Sequence, residues 1–202
     1  HYTALREAIG AYTGANPKHI VVGNGSTELI GTFIKTVNAK KSLIMGPAYS
    51  EYEREVSLTG GTFDYFPLKA EEDFVIDLDA LLAALTPEIG MFVACNPNNP
   101  TGSVYPREVL EGIVEVARRH QLMIFADEIY DRLCMDGYEH VSIASLAPDL
   151  PCVTFSGLSK SHMIAGYRIG WMVLSGNQRC MSDFIMGVNM LSNMRLCSNV
   201  PA

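Results

Sequence analysis

A single lysine, Lys160, lies between two apolar runs, and its surroundings favour chemistry more than those of any other lysine in the sequence. Residues 152–155 precede it, residues 169–174 follow it, and Arg168 lies eight positions beyond it. Both runs are rich in strand-forming residues, so we expect the lysine to be buried between two strands. Burial lowers the pKa of a lysine, and a neutral amine can form a Schiff base. The alternative is an ordinary exposed loop lysine.

A carboxylate, Asp127, directly follows the apolar run of residues 122–126. A charged group at the end of a buried strand is unfavourable unless a cation meets it. The protonated ring nitrogen of a heterocyclic cofactor would be a suitable partner, because the ion pair keeps the ring able to accept electrons. The alternatives are a helix N-cap or a surface acid at the strand end.

The sequence GNGSTE, residues 23–28, indicates an anion site between a short strand and a helix. Glycines allow a tight turn, and the first N–H groups of a helix can bind an anion. Ser26 and Thr27 add hydroxyl donors, and we expect Ser26 to be the N-cap. The glycine spacing is not that of a dinucleotide-binding fingerprint, and no Walker lysine follows. An ordinary capped helix start is the alternative.

Two further strands are followed by side chains that could contact a planar ligand. Tyr49 comes shortly after residues 42–45, where its ring could stack on a heterocycle or pack in the core. The sequence NPNNPTG, residues 96–102, follows a buried run, and its amides, among them Asn99, could reach a site. A proline-rich turn is the alternative for this segment.

The elements that must position these side chains alternate between helices and strands. Helices are predicted at residues 1–14, 26–38, 49–59, 108–120 and 178–195, with a short helix capped by Asp77, and strands at residues 19–22, 42–45, 62–68, 91–95, 122–126, 152–155 and 169–174. This alternation predicts one α/β domain, a three-layer sandwich with a mostly parallel sheet. Ligands of such folds bind at the carboxyl ends of the strands, where these motifs lie. The motifs therefore predict one shared site.

Composition and charge argue against several classes of function. The chain has 202 residues, 48% hydrophobic and 18% charged, as expected for a compact globular domain, and its net charge of −7 argues against nucleic acid as a partner. No apolar run reaches the roughly 18 residues of a membrane span. The five cysteines form no CxxC pair, which fits a cytoplasmic protein, and the five histidines show no ligand spacing for a metal.

Together, the motifs resemble those of the class I and II aminotransferases, which are pyridoxal-phosphate enzymes of fold type I. GNGSTELI, GPAYSEYE, NPNNPTG, FADEIYD, GLSK and AGYRIGWMVLSG carry this resemblance. From about residue 91 onward, through MRLCSNVPA, the chain looks like the bacterial alanine (glutamate–pyruvate) aminotransferases. Residues 1–85 look more like the branch of threonine-phosphate decarboxylase and histidinol-phosphate aminotransferase.

The resemblance implies roles for the residues around the cofactor ring. Lys160 would carry pyridoxal phosphate covalently and act as the catalytic base. Asp127 would pair with the ring nitrogen, and Tyr49 would stack on the ring. Asn99 and Tyr130 would contact the phenolic oxygen.

The resemblance also implies a phosphate site formed by Ser26, Thr27 and Arg168. Many relatives have a serine that donates to the phosphate three residues before the lysine, where this chain has Gly157. Two nearby hydroxyls are candidates to replace it: Ser156 and Ser159.

For the intact protein, the resemblance implies a cytoplasmic homodimer that acts on amino-acid and 2-oxo-acid substrates, with alanine or another small amino acid as donor and 2-oxoglutarate as acceptor. Residues 1–202 are expected to be the large cofactor-binding domain, without the family's N-terminal arm or its C-terminal small domain, which holds an arginine for the substrate carboxylate. Arg195 lies near a segment that crosses the dimer in relatives and is assigned no role. The alternatives are a decarboxylase or aminotransferase for phosphorylated substrates and a non-catalytic module.

Overall fold

A computed structural model describes residues 2–194, which form seven α-helices and seven β-strands. The helices are α1 (Thr3–Thr13), α2 (Ser26–Val37), α3 (Glu51–Leu58), α4 (Leu78–Ala84), α5 (Arg107–His120), α6 (Leu158–Ser161) and α7 (Ser182–Asn193). The strands are β1 (Ile20–Asn24), β2 (Lys41–Gly46), β3 (Thr62–Pro67), β4 (Met91–Cys95), β5 (Ile124–Asp127), β6 (Cys152–Gly157) and β7 (Ile169–Ser175). Arg195, at the end of the predicted helix 178–195, lies outside the described residues.

The seven strands form one sheet in the order β1-β7-β6-β5-β4-β2-β3. β7 is antiparallel to both of its neighbours, β1 and β6, and the other pairs are parallel. The predicted α/β fold with a mostly parallel sheet is therefore confirmed. Since β7 alone is reversed, it begins at the edge where the other six strands end. The residue before β7, Arg168, thus reaches the same edge as the residues that follow the other strands.

Both faces of the sheet are covered by apolar clusters, because successive strand residues point to opposite faces. Phe125 packs with helix residues such as Phe33 of α2 and Val56 of α3. Its neighbour Ile124 belongs to the other cluster, with helix residues such as Leu81 of α4 and Leu110 of α5. These three layers fix the strand ends on which the candidate site is built.

Helix starts differ in how well the sequence identified them. Asp77 caps α4 as predicted, and its Oδ1 accepts hydrogen bonds from the backbone N–H groups of Asp79 and Ala80. The prediction that Ser26 caps α2 is wrong, since Gly25 is the N-cap, with a φ of 79°. That left-handed conformation favours glycine, so Ser26 becomes the first helical residue. No helix in the described range is long and apolar enough to cross a lipid bilayer.

Candidate active site

A cavity of about 160 Å³ lies at the edge of the sheet where β5 and β6 end. Eight of the residues that line it are those proposed from the sequence: Ser26, Thr27, Tyr49, Asn99, Asp127, Tyr130, Lys160 and Arg168. Ile129, Ser159 and Ala165 also line it. The structure thus brings together residues that come from distant parts of the chain.

Asp127 is buried at the end of β5, with 3% of its surface exposed. The Tyr52 hydroxyl donates a hydrogen bond to Oδ2 over 2.6 Å, and the backbone N–H of Ile129 donates to Oδ1 over 3.1 Å. Burial raises the pKa of Asp127 from 3.8 to about 6, while these two hydrogen bonds act in the opposite direction. The carboxylate is therefore fixed in position but poorly solvated, which favours a cationic partner.

Lys160 lies in α6, the single helical turn that directly follows β6. The prediction that this lysine is buried between two strands is wrong, because the residue is exposed. β6 ends at Gly157, so α6 carries the lysine beyond the edge of the sheet. Its Nζ lies 5.4 Å from the centroid of the Tyr130 ring. The amine therefore stands at the cavity and beside a tyrosine that lines it.

The start of α2 and the Arg168 guanidinium form a cationic part of the cavity. Arg168 donates hydrogen bonds to the carbonyl oxygens of Ala165 (3.0 Å) and Asn24 (3.3 Å). A Cβ on Gly25 would lie 2.5 Å from Nη2 of Arg168. The absence of a side chain at Gly25 therefore allows the guanidinium to lie against the turn before α2. The first N–H groups of a helix have no partner within the helix, and together with the guanidinium they suit an anion.

Three glycines lie side by side in neighbouring strands and form a glycine row: Gly23 of β1, Gly170 of β7 and Gly157 of β6. A Cβ on Gly170 would lie 2.2 Å from the backbone nitrogen of Ser26, so the first turn of α2 approaches the sheet closely at this point. A Cβ on Gly157 would lie 2.7 Å from the Ile169 carbonyl oxygen. This backbone contact explains why a serine does not fit at residue 157.

The two serines proposed as replacements face different cavities. Ser159 lines the 160 Å³ cavity, whereas Ser156 lines a larger cavity of about 730 Å³. The larger cavity lies between α1, β6, β7 and residues 128–145, and its described lining includes none of the eight proposed residues. The smaller cavity is therefore the candidate active site, and Ser159 is its additional hydroxyl.

Among the asparagines of the loop after β4, Asn99 is the one that lines the cavity. The other two stabilise the loop itself. Asn96 Oδ1 accepts a hydrogen bond from the Tyr105 backbone N–H (2.8 Å), and Asn98 Oδ1 accepts one from the Thr101 hydroxyl (2.7 Å). The loop is thus held by side chains that leave the Asn99 amide at the cavity.

The sequence did not identify Tyr52, although it contacts two of the proposed residues. Its ring meets that of Tyr49 edge to face, with centroids 5.6 Å apart, and its hydroxyl reaches Asp127, 75 positions away in the chain. Tyr49 is also held by a 3.4 Å contact between its hydroxyl and Thr27 Oγ1. A buried tyrosine usually has a hydrogen-bond partner, but no local sequence pattern indicates which residue that is.

Comparison with known proteins gives a family-level match. The model for "Aminotransferase class I and II" matches residues 1–199. The glutamate–pyruvate aminotransferase AlaA of Escherichia coli K12 is 46% identical over 185 residues, which cover 91% of this chain and 46% of AlaA. Alanine aminotransferase of Mycobacterium tuberculosis H37Rv is 43% identical over 185 residues, covering 91% of this chain and 43% of that protein. The chain thus spans about half the length of these relatives, and alignments of this length include most of residues 1–85.

Solved structures agree with this match in fold. A crystal structure of an aminotransferase from Escherichia coli superposes with a TM-score of 0.93 at 43% identity, covering 98% of this chain and 51% of that one. Alanine aminotransferase from Pyrococcus furiosus superposes with a TM-score of 0.90 at 31% identity, covering 98% and 52% of the two chains.

Proposed function

The chain belongs to the class I and II aminotransferases, and on that premise we propose that residues 1–202 form the cofactor-binding large domain of an enzyme that transfers the amino group of alanine, or another small amino acid, to 2-oxoglutarate. The cofactor of this family is pyridoxal phosphate. The observation that carries the proposal is the convergence of all eight proposed residues on one cavity.

The chemistry of the cavity lining fits pyridoxal phosphate. The cofactor has an anionic phosphate, a ring nitrogen that can be protonated and an aldehyde that reacts with amines. The lining offers a guanidinium beside a helix N-terminus, the buried carboxylate of Asp127 and the primary amine of Lys160. Each reactive part of the cofactor therefore has a complementary group in the same cavity.

We assign the binding roles as follows. Arg168 and the hydroxyls of Ser26 and Thr27 donate hydrogen bonds to the phosphate, with Ser159 as a further donor. Charge-assisted hydrogen bonds of this kind are stronger than those between neutral groups. These contacts anchor one end of the cofactor.

Other residues orient the ring. Tyr49 covers one face, Asn99 and Tyr130 contact the phenolic oxygen, and ionised Asp127 accepts a hydrogen bond from the ring N–H. When bound, the cofactor supplies an electron sink that stabilises negative charge at the substrate Cα. Asp127 supports this chemistry because its negative charge keeps the ring nitrogen protonated.

Lys160 combines two roles at a single atom. In the resting enzyme its Nζ would hold the cofactor covalently, and during turnover the released amine would accept the proton from the substrate Cα and deliver it to the cofactor's C4′. The exposed position of Lys160 leaves its amine accessible to a substrate entering the cavity. One residue thus serves both to bind the cofactor and to transfer the proton.

Reductive labelling tests the assignment of Lys160. We expect sodium borohydride treatment of the pyridoxal-phosphate-loaded protein, followed by proteolysis and mass spectrometry, to place the pyridoxyl group on Lys160. A Lys160→Ala variant treated in the same way is the control and should lack the label. Stoichiometric labelling of any other lysine would contradict the assignment.

Substrate kinetics test the proposed donor. A second phosphate would require additional cationic donors, and the cations that line the cavity are Lys160 and Arg168, both of which have proposed roles toward the cofactor. Arg54, in the region that resembles the phosphorylated-substrate branch, instead pairs with Glu51 and Glu55. We therefore expect a higher kcat/KM for alanine than for histidinol phosphate or threonine phosphate. A higher value for either phosphorylated compound would overturn the choice of alanine.

The proposal includes a cytoplasmic homodimer. Three methionines at the end of the described chain expose more than half of their surface: Met186, Met190 and Met194. Exposed apolar clusters are typical of interaction surfaces, which supports association between copies of the chain. The free thiols of the four described cysteines fit a reducing compartment. Light scattering of the purified protein would give the oligomeric state directly.

A further inference from the structure

Tyr52 of α3 connects two parts of the candidate active site. The residue is 1% exposed, its hydroxyl donates to Asp127 Oδ2 over 2.6 Å, and its ring is nearly perpendicular to that of Tyr49, at 89°. On its other side the ring packs edge to face against Phe125, with centroids 5.9 Å apart. The side chain is therefore buried, and these contacts hold its hydroxyl at Asp127.

We propose that Tyr52 is a positioning residue of this site, whose hydroxyl keeps Asp127 in place and ionised and whose ring sets the orientation of Tyr49. The inference rests on the proposed role of Asp127 toward the cofactor ring. Tyr52 itself does not line the cavity, so it acts through these two residues and not by contact with a ligand.

The direction of the hydrogen bond follows from the environment of the hydroxyl. Burial, with the nearby Asp127 charge, raises the pKa of Tyr52 well above its usual range, so the proton stays on the tyrosine and the carboxylate is the acceptor. Each Asp127 oxygen accepts one hydrogen bond, from Tyr52 or from the Ile129 N–H. A carboxylate has about four acceptor positions, so capacity remains for a donor in the cavity.

Other titratable groups near Asp127 do not replace the Tyr52 hydroxyl. Cys95 of β4 is uncharged, because burial raises the pKa of its thiol. Burial also raises the pKa of the adjacent Glu128 to about 8, so this carboxyl is mostly neutral at pH 7. The remaining titratable groups that share the cavity lining are Tyr49, Tyr130, Lys160 and Arg168. Burial has the largest effect on the Asp127 pKa and raises it. Two hydrogen bonds oppose burial, and the one from the Tyr52 hydroxyl has a larger effect than the one from the Ile129 N–H.

The test compares two single-hydroxyl deletions, Tyr52→Phe and Tyr105→Phe, in the cofactor-free protein. Tyr105 is a matched control: it is 2% exposed, and its hydroxyl has no hydrogen-bond partner among the described residues. The pKa of Asp127 is measured by ¹³C NMR of the aspartate carboxyl carbons, with Asp127→Asn for assignment. We expect Tyr52→Phe to raise this pKa by about one to two units, as loss of a hydrogen bond to a charged group implies.

Tyr105→Phe should leave the pKa of Asp127 unchanged. An Asp127 pKa in Tyr52→Phe within about 0.3 units of that of the unmodified protein would overturn the inference, because one unit corresponds to a tenfold change in the proton-binding equilibrium. This measurement needs neither cofactor nor turnover, so it is independent of the proposed function.

A second measurement separates this inference from the proposed function. Pyridoxal phosphate affinity is measured against pH in the same variants. Protonation of Asp127 should weaken this affinity without abolishing binding, and we expect the pH of that decrease to move upward in Tyr52→Phe by the same amount as the Asp127 pKa. If the NMR pKa moves but the affinity profile does not, the link between Tyr52 and Asp127 stands and the proposed role of Asp127 toward the cofactor fails.

The ring of Tyr52 is tested by Tyr52→Leu, which removes the contact with Tyr49 as well as the hydroxyl. We expect weaker cofactor binding in this variant than in Tyr52→Phe, because Tyr49 loses its edge-to-face partner. Equal affinities would overturn the role of the ring. If Tyr52→Leu does not fold, the second comparison is between Tyr49→Trp alone and Tyr49→Trp combined with Tyr52→Phe. Bound cofactor should quench the indole equally in both proteins, because the Phe ring preserves the contact with residue 49. Unequal quenching would contradict the role of the ring.

Discussion

At the scale of single residues, Asp127 is subject to opposing demands from stability and from the proposed chemistry. In the cofactor-free protein its folded-state pKa of about 6 lies above its ordinary value of 3.8, so the folded state binds the proton more tightly than the unfolded state. Stability from this group is present at low pH and is lost as the pH rises through about 6. The charge that the cofactor requires therefore destabilises the empty site.

We predict that Asp127→Asn removes both the pH-dependent loss of stability and the charge that the cofactor ring requires. Because the amide cannot ionise, the unfolding free energy of the cofactor-free variant, relative to that of the unmodified protein, should increase by roughly 2 kcal/mol between pH 4.5 and pH 7.5. Urea unfolding across this pH range measures the difference, in which contributions from titratable groups that Asp127 does not influence cancel. A difference that does not change with pH would contradict the raised pKa of Asp127.

With cofactor bound, the same variant should retain pyridoxal phosphate but abstract the substrate Cα proton far more slowly, because a neutral amide does not stabilise a protonated ring nitrogen. Single-turnover absorbance changes after mixing with alanine give this rate. A rate within about threefold of that of the unmodified protein, roughly 0.7 kcal/mol of barrier, would refute the role of Asp127.

The sequence could identify the residues that line the cavity but not the contacts that hold them in place. Asp127 and Asn99 were recognisable because each stands at a strand end within a distinctive local string. Tyr52 was not, because its contact with Asp127 spans 75 positions and depends on how α3 packs against the sheet. The burial of Lys160 was predicted wrongly, since neighbouring apolar runs do not reveal that a helical turn carries the residue outward.

At the scale of elements, the reversed strand β7 explains how Arg168 joins the site. Ligands of parallel sheets bind where the strands end, whereas Arg168 precedes its strand. The alternation of helices and strands predicted a mostly parallel sheet but gave no information on the direction of this last strand. The connection between β6 and β7, residues 158–168, is shorter than the roughly one dozen residues that a parallel crossover needs, which favours an antiparallel β7.

We predict that Gly170→Ala in β7 weakens cofactor binding at least tenfold and destabilises the fold by about 1–3 kcal/mol. The added Cβ would meet the Ser26 backbone nitrogen at 2.2 Å, and relief of that contact moves α2 away from the sheet. Spectroscopic titration with pyridoxal phosphate and urea unfolding measure the two effects.

The matched control is Gly166→Ala, four positions away in the chain. A Cβ at Gly166 would meet nothing within 4 Å, so we expect a change in stability within about 0.5 kcal/mol and unaltered cofactor affinity. If Gly170→Ala behaves like Gly166→Ala, the close approach of α2 to β7 does not contribute to the site.

At the scale of the whole molecule, the chain represents about half the length of its relatives, 46% of AlaA from Escherichia coli. The cationic side chains that line the cavity, Lys160 and Arg168, both have proposed roles toward the cofactor. Among residues 2–194, the lining therefore provides no further cation for the carboxylate of an amino-acid substrate.

We predict that the 202-residue chain expressed by itself has little or no transaminase activity. The reason is the lack of a cation for the substrate carboxylate along the described cavity. Coupled assays with alanine and 2-oxoglutarate measure the rate, with full-length AlaA as the positive control and the Lys160→Ala variant as the background. Turnover near the rate of AlaA would show that the substrate carboxylate is held by a group already present in this chain.

The glycine row beneath α2 has a consequence for how this protein would respond to saturation mutagenesis. Positions 23, 157 and 170 have no side chain with which to touch a ligand, and yet larger residues there would displace neighbouring atoms of the site or its supporting strands. A mutational map scored by growth would therefore mark these glycines as intolerant, alongside Lys160 and Asp127. Intolerance to substitution alone would therefore not distinguish the glycine row from the catalytic residues. Only a substitution series graded by side-chain volume would separate the two groups.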